Sequence, residues 1–219
     1  MQERVKEFII ERGYRAGDAM PSEAELSALL GVSRPSLREA LRVLATLGVV
    51  ESRHGQGTFV GRFSLTPFVD GLSFGIRVSN PNDAARAIGE MLEVRAVLEE
   101  DLIRRVTPTV SNETIDALEA VMRRMEEKAA RHEEFSEEDR LFHQLLYREI
   151  EDMMMVRLVQ GFWDVFDNLR QSLPNVIGEL SSIVEHHRSI LEAVRARDAD
   201  AAVQALSEHF TGIRRRVQN

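Results

Sequence analysis

Apolar residues recur every three or four positions from Asp83 onward, and glycine and proline are rare there. This spacing places the apolar side chains on one face of successive α-helices. We predict six helices, over residues 83–106, 112–131, 136–149, 153–172, 177–196 and 199–216. Short connections between them, such as the turn at residues 197–200, make consecutive helices antiparallel. The pattern therefore predicts a mainly α protein whose C-terminal part is an all-helical antiparallel bundle.

The first 62 residues carry shorter helical segments that are separated by glycine turns. After a short first helix, Ser22 and Glu25 form a capping box that predicts the start of a second helix. Ser33 can cap a third helix, and Gly48 ends it. Only a short turn separates the last two helices, so the segment is typical of a helix-turn-helix.

The period changes after the third helix. Residues 49–53 and 58–60 suit two short strands, and the glycine-rich residues 54–57 between them predict a hairpin. Residues 63–82 hold two prolines and no sustained period, so we interpret them as a linker with room for a short helical turn. The predicted domains are a winged helix-turn-helix over residues 1–62, the linker over 63–82 and the helical domain over 83–219.

Charge is distributed unevenly along the chain. The formal net charge is −8, yet residues 1–62 hold nine Lys and Arg against eight Asp and Glu, a net of +1. The rest of the chain carries a net of −9 and five of the six histidines. A DNA-contacting surface is therefore compatible with the N-terminal domain, although its bulk attraction to phosphate is modest.

The chain contains no cysteine, which excludes disulfides and thiolate metal sites. Any metal must then bind histidine, carboxylate or water. No apolar run approaches the roughly 18 residues of a membrane span, and the first residues lack a basic and apolar signal segment. We predict a cytoplasmic protein without a membrane partner.

A helix-turn-helix places the start of its second helix in the major groove, where Arg and short polar side chains reach bases and phosphates. A hairpin wing adds contacts, and glycine at its tip lets the backbone approach DNA closely. The same elements also occur in structural or protein-binding modules. The candidate DNA-binding residues are Ser33, Arg34, Ser36 and Arg38 of the helix and Arg53, His54, Gly55 and Gly57 of the wing.

Five short motifs follow one another in the first 60 residues: PSE at 21–23, GVSR at 31–34, LREAL at 37–41, LGVVE at 47–51 and GQGTFV at 55–60. In this order they resemble the winged helix of the GntR family of bacterial transcription regulators. The helical region resembles the effector-binding FCD domain of the FadR-like branch. The resemblance implies that Arg34 and Arg38 contact DNA and that His54 and Gly55 lie at the wing tip. The family often has Arg where this chain has Ala24, so one contact to a base or phosphate is missing.

Four polar residues are predicted to face the core of the bundle. Asp139 and His143 are four residues apart, which places them on one helix face. His187 and His209 lie eleven residues before and after Asp198, so at ~1.5 Å per residue both are about 16 Å from the turn. One carboxylate and three imidazoles suit zinc first, with nickel, manganese or iron as alternatives. The set also resembles the metal ligands of many FCD domains. The alternative is four separate polar groups that are satisfied in the core or at its edge.

Arg95 is the candidate effector-binding residue. A guanidinium can hold a carboxylate through two hydrogen bonds. The segment EVRAVLEE at 93–100 resembles the first-helix motif of FCD domains, in which Arg reaches toward the ligand. An ion pair along the helix with Glu99, four residues later, explains Arg95 equally well.

We predict a homodimeric transcription regulator that binds a two-fold symmetric operator in double-stranded DNA, with an affinity controlled by a small carboxylic acid bound near the metal. We expect the protein not to be an enzyme. The alternative is a metal-dependent hydrolase or oxygenase built on Asp139, His143 and His187, but no phosphate loop, dinucleotide fingerprint or nucleophile elbow accompanies them. A third hypothesis is a helical interaction module with an inactive DNA head.

Overall fold

The computed structural model describes residues 1–151, 153–170 and 180–218, and it divides the chain into two units at Asp70. The described elements are the helices α1 (Gln2–Glu11), α2 (Glu23–Leu30), α3 (Arg34–Thr46), α4 (Thr66–Arg77), α5 (Pro81–Val106), α6 (Asn112–Ala130), α7 (Ser136–Leu146), α8 (Met153–Arg170), α9 (Leu180–Arg195) and α10 (Ala199–Gln218) and the strands β1 (Val50–Arg53) and β2 (Gly57–Val60). The predicted helix ends at residues 172 and 177 lie outside the described residues.

The helix starts in the first unit follow the predicted caps. The backbone N–H of Glu25 donates to Ser22 Oγ at 3.3 Å, and the N–H of Ser22 donates to the Glu25 carboxylate at 2.9 Å, which confirms the capping box. Helix α2 ends at Gly31 with a φ of 62°, a left-handed conformation that glycine adopts without strain. Ser33 Oγ accepts from the N–H of Ser36 at 3.4 Å and caps α3.

One apolar core holds the three helices of this unit against the hairpin. Each helix contributes the side chains that its three-and-four spacing places on one face, and the hairpin contributes one side chain from each strand. The buried members are Val5, Phe8, Ile9, Met20, Leu26, Leu37, Leu41, Leu44, Val50 and Val60.

The two strands pair antiparallel, with Val50 opposite Val60. A third short segment, which the sequence did not indicate, runs along the outer edge of β2. The N–H of Met20 donates to the carbonyl oxygen of Thr58, and the N–H of Val60 donates to that of Asp18, both at 2.8 Å. The wing is therefore tied to the chain between α1 and α2 as well as to α3.

The region predicted as a linker contains a complete helix. Helix α4 has twelve residues, and its second residue is Pro67, a position where the missing N–H has no helical partner to lose. Val69, Ser73 and Ile76 form its buried side. The two glycines of α4 hid this helical period from the sequence analysis.

The second unit is the helical bundle. Helix α10 packs against α5 and α9, α6 packs against α7 and α9, and α5 also packs against α8. The tight turn between α9 and α10 holds Arg197 at a φ of 56°, and the Arg197 guanidinium donates to the carbonyl oxygen of Val110 at 2.6 Å. Asp198 then accepts from the N–H of Ala201 and caps α10. Among the described helices, none has both the length and the apolar composition that crossing a membrane requires.

Gly61 gives a test of the wing's attachment. A Cβ at this position would lie 1.9 Å from the carbonyl oxygen of Gly48, which is backbone and cannot move aside alone. We expect Gly61→Ala to lower the free energy of unfolding by about 2 kcal/mol or more. Chemical denaturation followed by circular dichroism measures the change.

Gly75→Ala is the matched control, because Gly75 is exposed in α4 and an added Cβ meets no atom within 4 Å. It should leave stability unchanged or raise it by about 0.5–1 kcal/mol. Equal stability of the two variants would contradict the close approach of Gly61 to Gly48.

Candidate DNA-reading face and metal centre

The start of α3 presents the four helix residues predicted to bind DNA. Ser33, Arg34, Ser36 and Arg38 are all exposed. The Ser33 hydroxyl is engaged in capping, so it fixes the helix start in addition to any contact with DNA. Arg38 donates from Nε and Nη2 to one carboxylate oxygen of Glu23, at 3.1 and 2.8 Å. The pair with Glu23 on α2 was not foreseen from the sequence.

The wing presents the other four predicted residues at one end of the hairpin. Gly55 and Gly57 have φ values of 72° and 103°, which only glycine adopts readily, and His54 beside them is exposed. Arg53 donates from Nε and Nη2 to the two oxygens of Glu51, both at 3.0 Å. Exposed pairs of this kind contribute only about 0–1 kcal/mol, so a DNA phosphate can replace the carboxylate at little cost.

The bundle brings the four predicted metal ligands together. Asp139 and His143 come from α7, His187 from α9 and His209 from α10, and one ligand atom from each lies within 4.8 Å of all the others. The three imidazoles are fully buried, and the side chain of Asp139 is 21% exposed. Residues from three helices thus form one centre, which is called the Asp/His centre below.

Two of the imidazoles have their orientation fixed by the protein. His187 Nδ1 donates to the carbonyl oxygen of Ile183 at 2.8 Å, so its Nε2 faces the Asp139 carboxylate at 2.8 Å. His143 Nδ1 donates to Glu99 at 2.6 Å, so its Nε2 also faces Asp139, at 3.6 Å. A neutral ring in this tautomer turns a lone pair toward the carboxylate oxygen. The arrangement therefore requires a positive charge between the rings and Asp139, either a proton or a metal ion.

Glu99 and Tyr147 belong to the candidate site, although the sequence pattern does not predict them there. Glu99 is fully buried on α5 and accepts from His143, from the Tyr147 hydroxyl at 2.8 Å and from Arg95 Nε. Glu99 had been considered only as an ion-pair partner for Arg95. Its position within the stripe of Ile88, Leu92, Leu102 and Val106 was the available signal that it points into the core.

The protonation states follow from these contacts. Burial raises the pKa of Glu99, but Arg95 and His143 outweigh it and hold the pKa at about 2. Burial likewise raises the pKa of Asp139, and His187 reverses the shift to below the ordinary value. Burial raises the pKa of the Tyr147 hydroxyl well above its ordinary value, and Glu99 adds to this, so the hydroxyl remains a donor.

His209 is the imidazole without a fixed orientation. Both its nitrogens are buried and lack a hydrogen-bond partner among the described residues. Burial lowers its pKa well below 6.5, and the neighbouring His187 and His143 lower it further. The ring is therefore neutral near pH 7, which is the form that binds metal.

Arg95 is predicted either to bind the effector or to form an ion pair with Glu99, and the structure is compatible with both roles. Its Nε donates to Glu99, as expected for an ion pair along α5. Its Nη2 is buried and has no partner among the described residues, and its Cζ lies 3.9 Å from the ring of Trp163. Arg95 also lies close enough to Asp139 and His209 to shift the pKa of both. The free N–H groups of Arg95 are therefore available beside the Asp/His centre.

The donor set fits a divalent metal. Atoms bound to one ion at about 2.1 Å can be at most about 4.2 Å apart, close to the 4.8 Å span of the four ligand atoms. Three buried ring nitrogens, one of His143 and two of His209, lack partners within the described residues. Nitrogen and oxygen ligands suit zinc and its neighbours in the transition series.

A winged helix-turn-helix and a helical bundle with a buried polar centre define a DNA-binding transcription regulator with a separate effector domain. Comparison with protein families agrees with this class. Residues 1–60 match the bacterial regulatory proteins of the gntR family, and residues 90–212 match the FCD domain. The chain belongs to the GntR family and carries an FCD domain.

Similar proteins are transcription regulators. The chain is 29% identical to the putative L-lactate dehydrogenase operon regulatory protein of Escherichia coli K12, over 95% of this chain and 81% of that protein. It is 26% identical to the transcriptional repressor NanR of Cronobacter sakazakii, over 97% and 82% of the two chains. A GntR structure from Streptococcus agalactiae superposes with a TM-score of 0.69 at 26% identity, covering 98% and 97%. The protein is thus a transcription regulator that binds DNA rather than an enzyme.

The neutral state of His209 predicts a pH dependence of stability. Because its pKa in the folded protein lies below the ordinary 6.5, the unfolded chain takes up a proton first as the pH falls. Metal-free protein should therefore lose up to ~1.4 kcal/mol of unfolding free energy per pH unit from this one group as the pH drops below about 6.5. Denaturant titrations between pH 7.5 and 5.5 measure the slope.

His209→Leu should reduce the pH dependence of the unfolding free energy by the equivalent of up to one proton taken up on unfolding, because the variant has no imidazole at this position to protonate. His54→Gln removes an exposed imidazole from the wing and serves as the control, with the slope unchanged. A slope that is the same in wild type and His209→Leu would show that His209 does not resist protonation in the fold.

Proposed function

We propose that the protein is a cytoplasmic homodimer that binds a two-fold symmetric operator in double-stranded DNA. A small carboxylic acid, bound at a metal in the helical domain, controls its affinity for the operator. The observation that carries the effector part is the Asp/His centre, where two histidines turn lone pairs toward Asp139 next to unpaired N–H groups of Arg95. A cation and an anion together satisfy these groups.

For DNA binding, the start of α3 supplies Arg34 and Arg38. Ser33 precedes them, and Ser36 lies between them. The wing supplies Arg53, His54 and the backbone of Gly55 and Gly57. Exposed Arg side chains at a helix start suit the major groove, and a glycine tip suits close approach to a phosphate or the minor groove. Two copies related by two-fold symmetry then explain a symmetric operator.

In the helical domain, Asp139, His143, His187 and His209 are the residues that hold the metal. We favour zinc, with nickel, manganese or iron as alternatives, because the ligands are nitrogen and oxygen only. When bound, the metal supplies a positive charge and open positions for ligand oxygens. Arg95 would hold the acid through its Nη2, while its Nε remains on Glu99. Differential binding of the acid to two arrangements of the dimer would change operator affinity.

Operator binding tests the DNA part. A duplex selected from a random-sequence library by the zinc-loaded protein should show two-fold symmetry. We expect Arg34→Ala to weaken binding to it about tenfold or more, because a base or phosphate contact is lost. Fluorescence anisotropy at fixed salt measures the affinity. Arg86→Ala, an equal charge change on the exposed surface of α5, is the control and should bind like wild type.

In the same assay, acetate should change the operator affinity of zinc-loaded protein by about 5-fold to 150-fold and leave metal-free protein unaffected. Selection of no preferred duplex would contradict sequence-specific binding. An acetate effect of equal size with and without zinc would contradict the role of the metal.

Glu99 tests the metal part. Because Glu99 fixes the tautomer and direction of the His143 ring, Glu99→Gln should lower zinc affinity about 10-fold to 100-fold. Competition with a chromogenic chelator at pH 7 measures it. Glu93→Gln changes an exposed carboxylate on the same helix and should leave zinc affinity unchanged. Equal zinc affinity in the two variants would show that the hydrogen bond from His143 to Glu99 does not orient a metal ligand.

A further inference from the structure

Trp163 carries a polar group whose partner is missing within the described part of the chain. The residue lies on α8, is 4% exposed, and its Nε1 is buried without a hydrogen-bond acceptor. Native proteins nearly always pair buried N–H groups, so this N–H group calls for an acceptor, such as an oxygen atom of a water molecule or of a ligand.

The position of Trp163 connects its N–H group to the Asp/His centre. Its ring lies 5.5 Å from the ring of His143, centroid to centroid. The guanidinium of Arg95 also lies over the Trp163 ring, with Cζ 3.9 Å from the ring centroid. The two residues in contact therefore each carry a buried polar atom without a partner among the described residues, Nη2 of Arg95 and Nε1 of Trp163.

The number of unpaired groups sets a condition on the ligand. A carboxylate has two oxygens, and under the proposed function one binds the metal and the other accepts from Arg95 Nη2. The Trp163 N–H is then still without an acceptor and has been removed from water. A third oxygen on the ligand, carried by the carbon next to the carboxylate, would satisfy it.

We propose that Trp163 is a specificity-determining residue, whose indole N–H selects 2-hydroxy or 2-oxo acids over plain carboxylic acids. This inference rests on the proposed carboxylate site. It assigns to Trp163 a direct contact with the ligand in addition to its packing role.

The space beside Trp163 restricts the size of the acid. A cavity of about 10 Å³ lies between α7 and α8, lined by His143, Tyr147, Val156, Val159 and Trp163 among others. This volume accommodates about one water molecule. The region beside Trp163 therefore has little spare space, and the smallest acids are chosen as probes.

Acetate and glycolate form a matched pair of probes, because they differ by a single hydroxyl group on the second carbon. Calorimetric titration of zinc-loaded full-length protein should give glycolate an affinity about tenfold or more above that of acetate. In Trp163→Phe, which keeps an aromatic ring at this position and removes the N–H together with part of the indole ring, the two affinities should become equal within about twofold. The acetate affinity should stay near its wild-type value.

Phe166→Leu is the packing control. Phe166 contacts Trp163 from the same helix, with ring centroids 6.4 Å apart, and has no polar group to lose. The preference for glycolate should survive in this variant. Zinc content and thermal unfolding, measured on every variant, show whether the centre is intact.

The wild-type protein offers a second readout that needs no variant, because Trp163 is the single tryptophan of the chain. Its fluorescence therefore reports this position alone, and zinc has no unpaired electrons to quench it. At saturation, glycolate should shift the emission spectrum, whereas acetate should leave it close to that of zinc-loaded protein.

The outcomes separate the two levels of the proposal. An unchanged preference for glycolate in Trp163→Phe, or identical spectra with both acids, overturns the role of Trp163 and leaves the carboxylate site standing. Failure of both acids to bind wild-type zinc-loaded protein overturns the carboxylate site and this inference with it. Loss of the preference in Trp163→Phe, with its retention in Phe166→Leu, supports the inference.

Discussion

The helical domain depends on one buried carboxylate, that of Glu99. A charge removed from water costs several kcal/mol unless it is paired and hydrogen-bonded. Here Arg95, His143 and Tyr147 all donate to it, and Arg95 adds a formal positive charge. These contacts join α5 to α7 and, through the stack of Arg95 on Trp163, to α8. The polar interaction thus fixes the relative positions of helices whose apolar surfaces alone would tolerate small shifts.

This arrangement determines what the histidines can do. Glu99 accepts a hydrogen bond from Nδ1 of His143, and the carbonyl oxygen of Ile183 accepts one from Nδ1 of His187. The Nε2 atoms of both rings therefore face Asp139. The centre consequently needs a positive charge that the apolar core does not supply. His209 adds a neutral imidazole, because burial and the neighbouring His187, His143 and Arg95 oppose its protonation. A site built in this way favours a cation other than a proton near pH 7.

The sequence predicted those parts of the structure that local spacing determines. The capping box at Ser22, the four-residue spacing of Asp139 and His143 and the hairpin between α9 and α10 all depend on neighbours along the chain. The contacts of Glu99 with His143 and Tyr147 span 44 and 48 residues, and the contact of Arg95 with Trp163 joins two different helices, so no local pattern encodes them. Helix α4 differs, because its two glycines lower the helix propensity of the segment and weaken the apolar period. Packing of its buried side stabilises the helix nevertheless.

Arginine pairs with carboxylates at the surface in the N-terminal domain and in the core of the helical domain. This difference in burial distinguishes the two domains more clearly than the net charge of −8 does. Arg38 and Arg53 pair with exposed carboxylates, where water and salt weaken the interaction and a phosphate can compete. Arg95 pairs with a carboxylate in the core, where exchange would leave Glu99 charged and alone. Under the proposed function, an incoming acid would therefore bind the Nη2 of Arg95 without displacing Glu99 from its Nε. Any ligand at this site must add to the polar network, because replacing a member would break the fold that presents it.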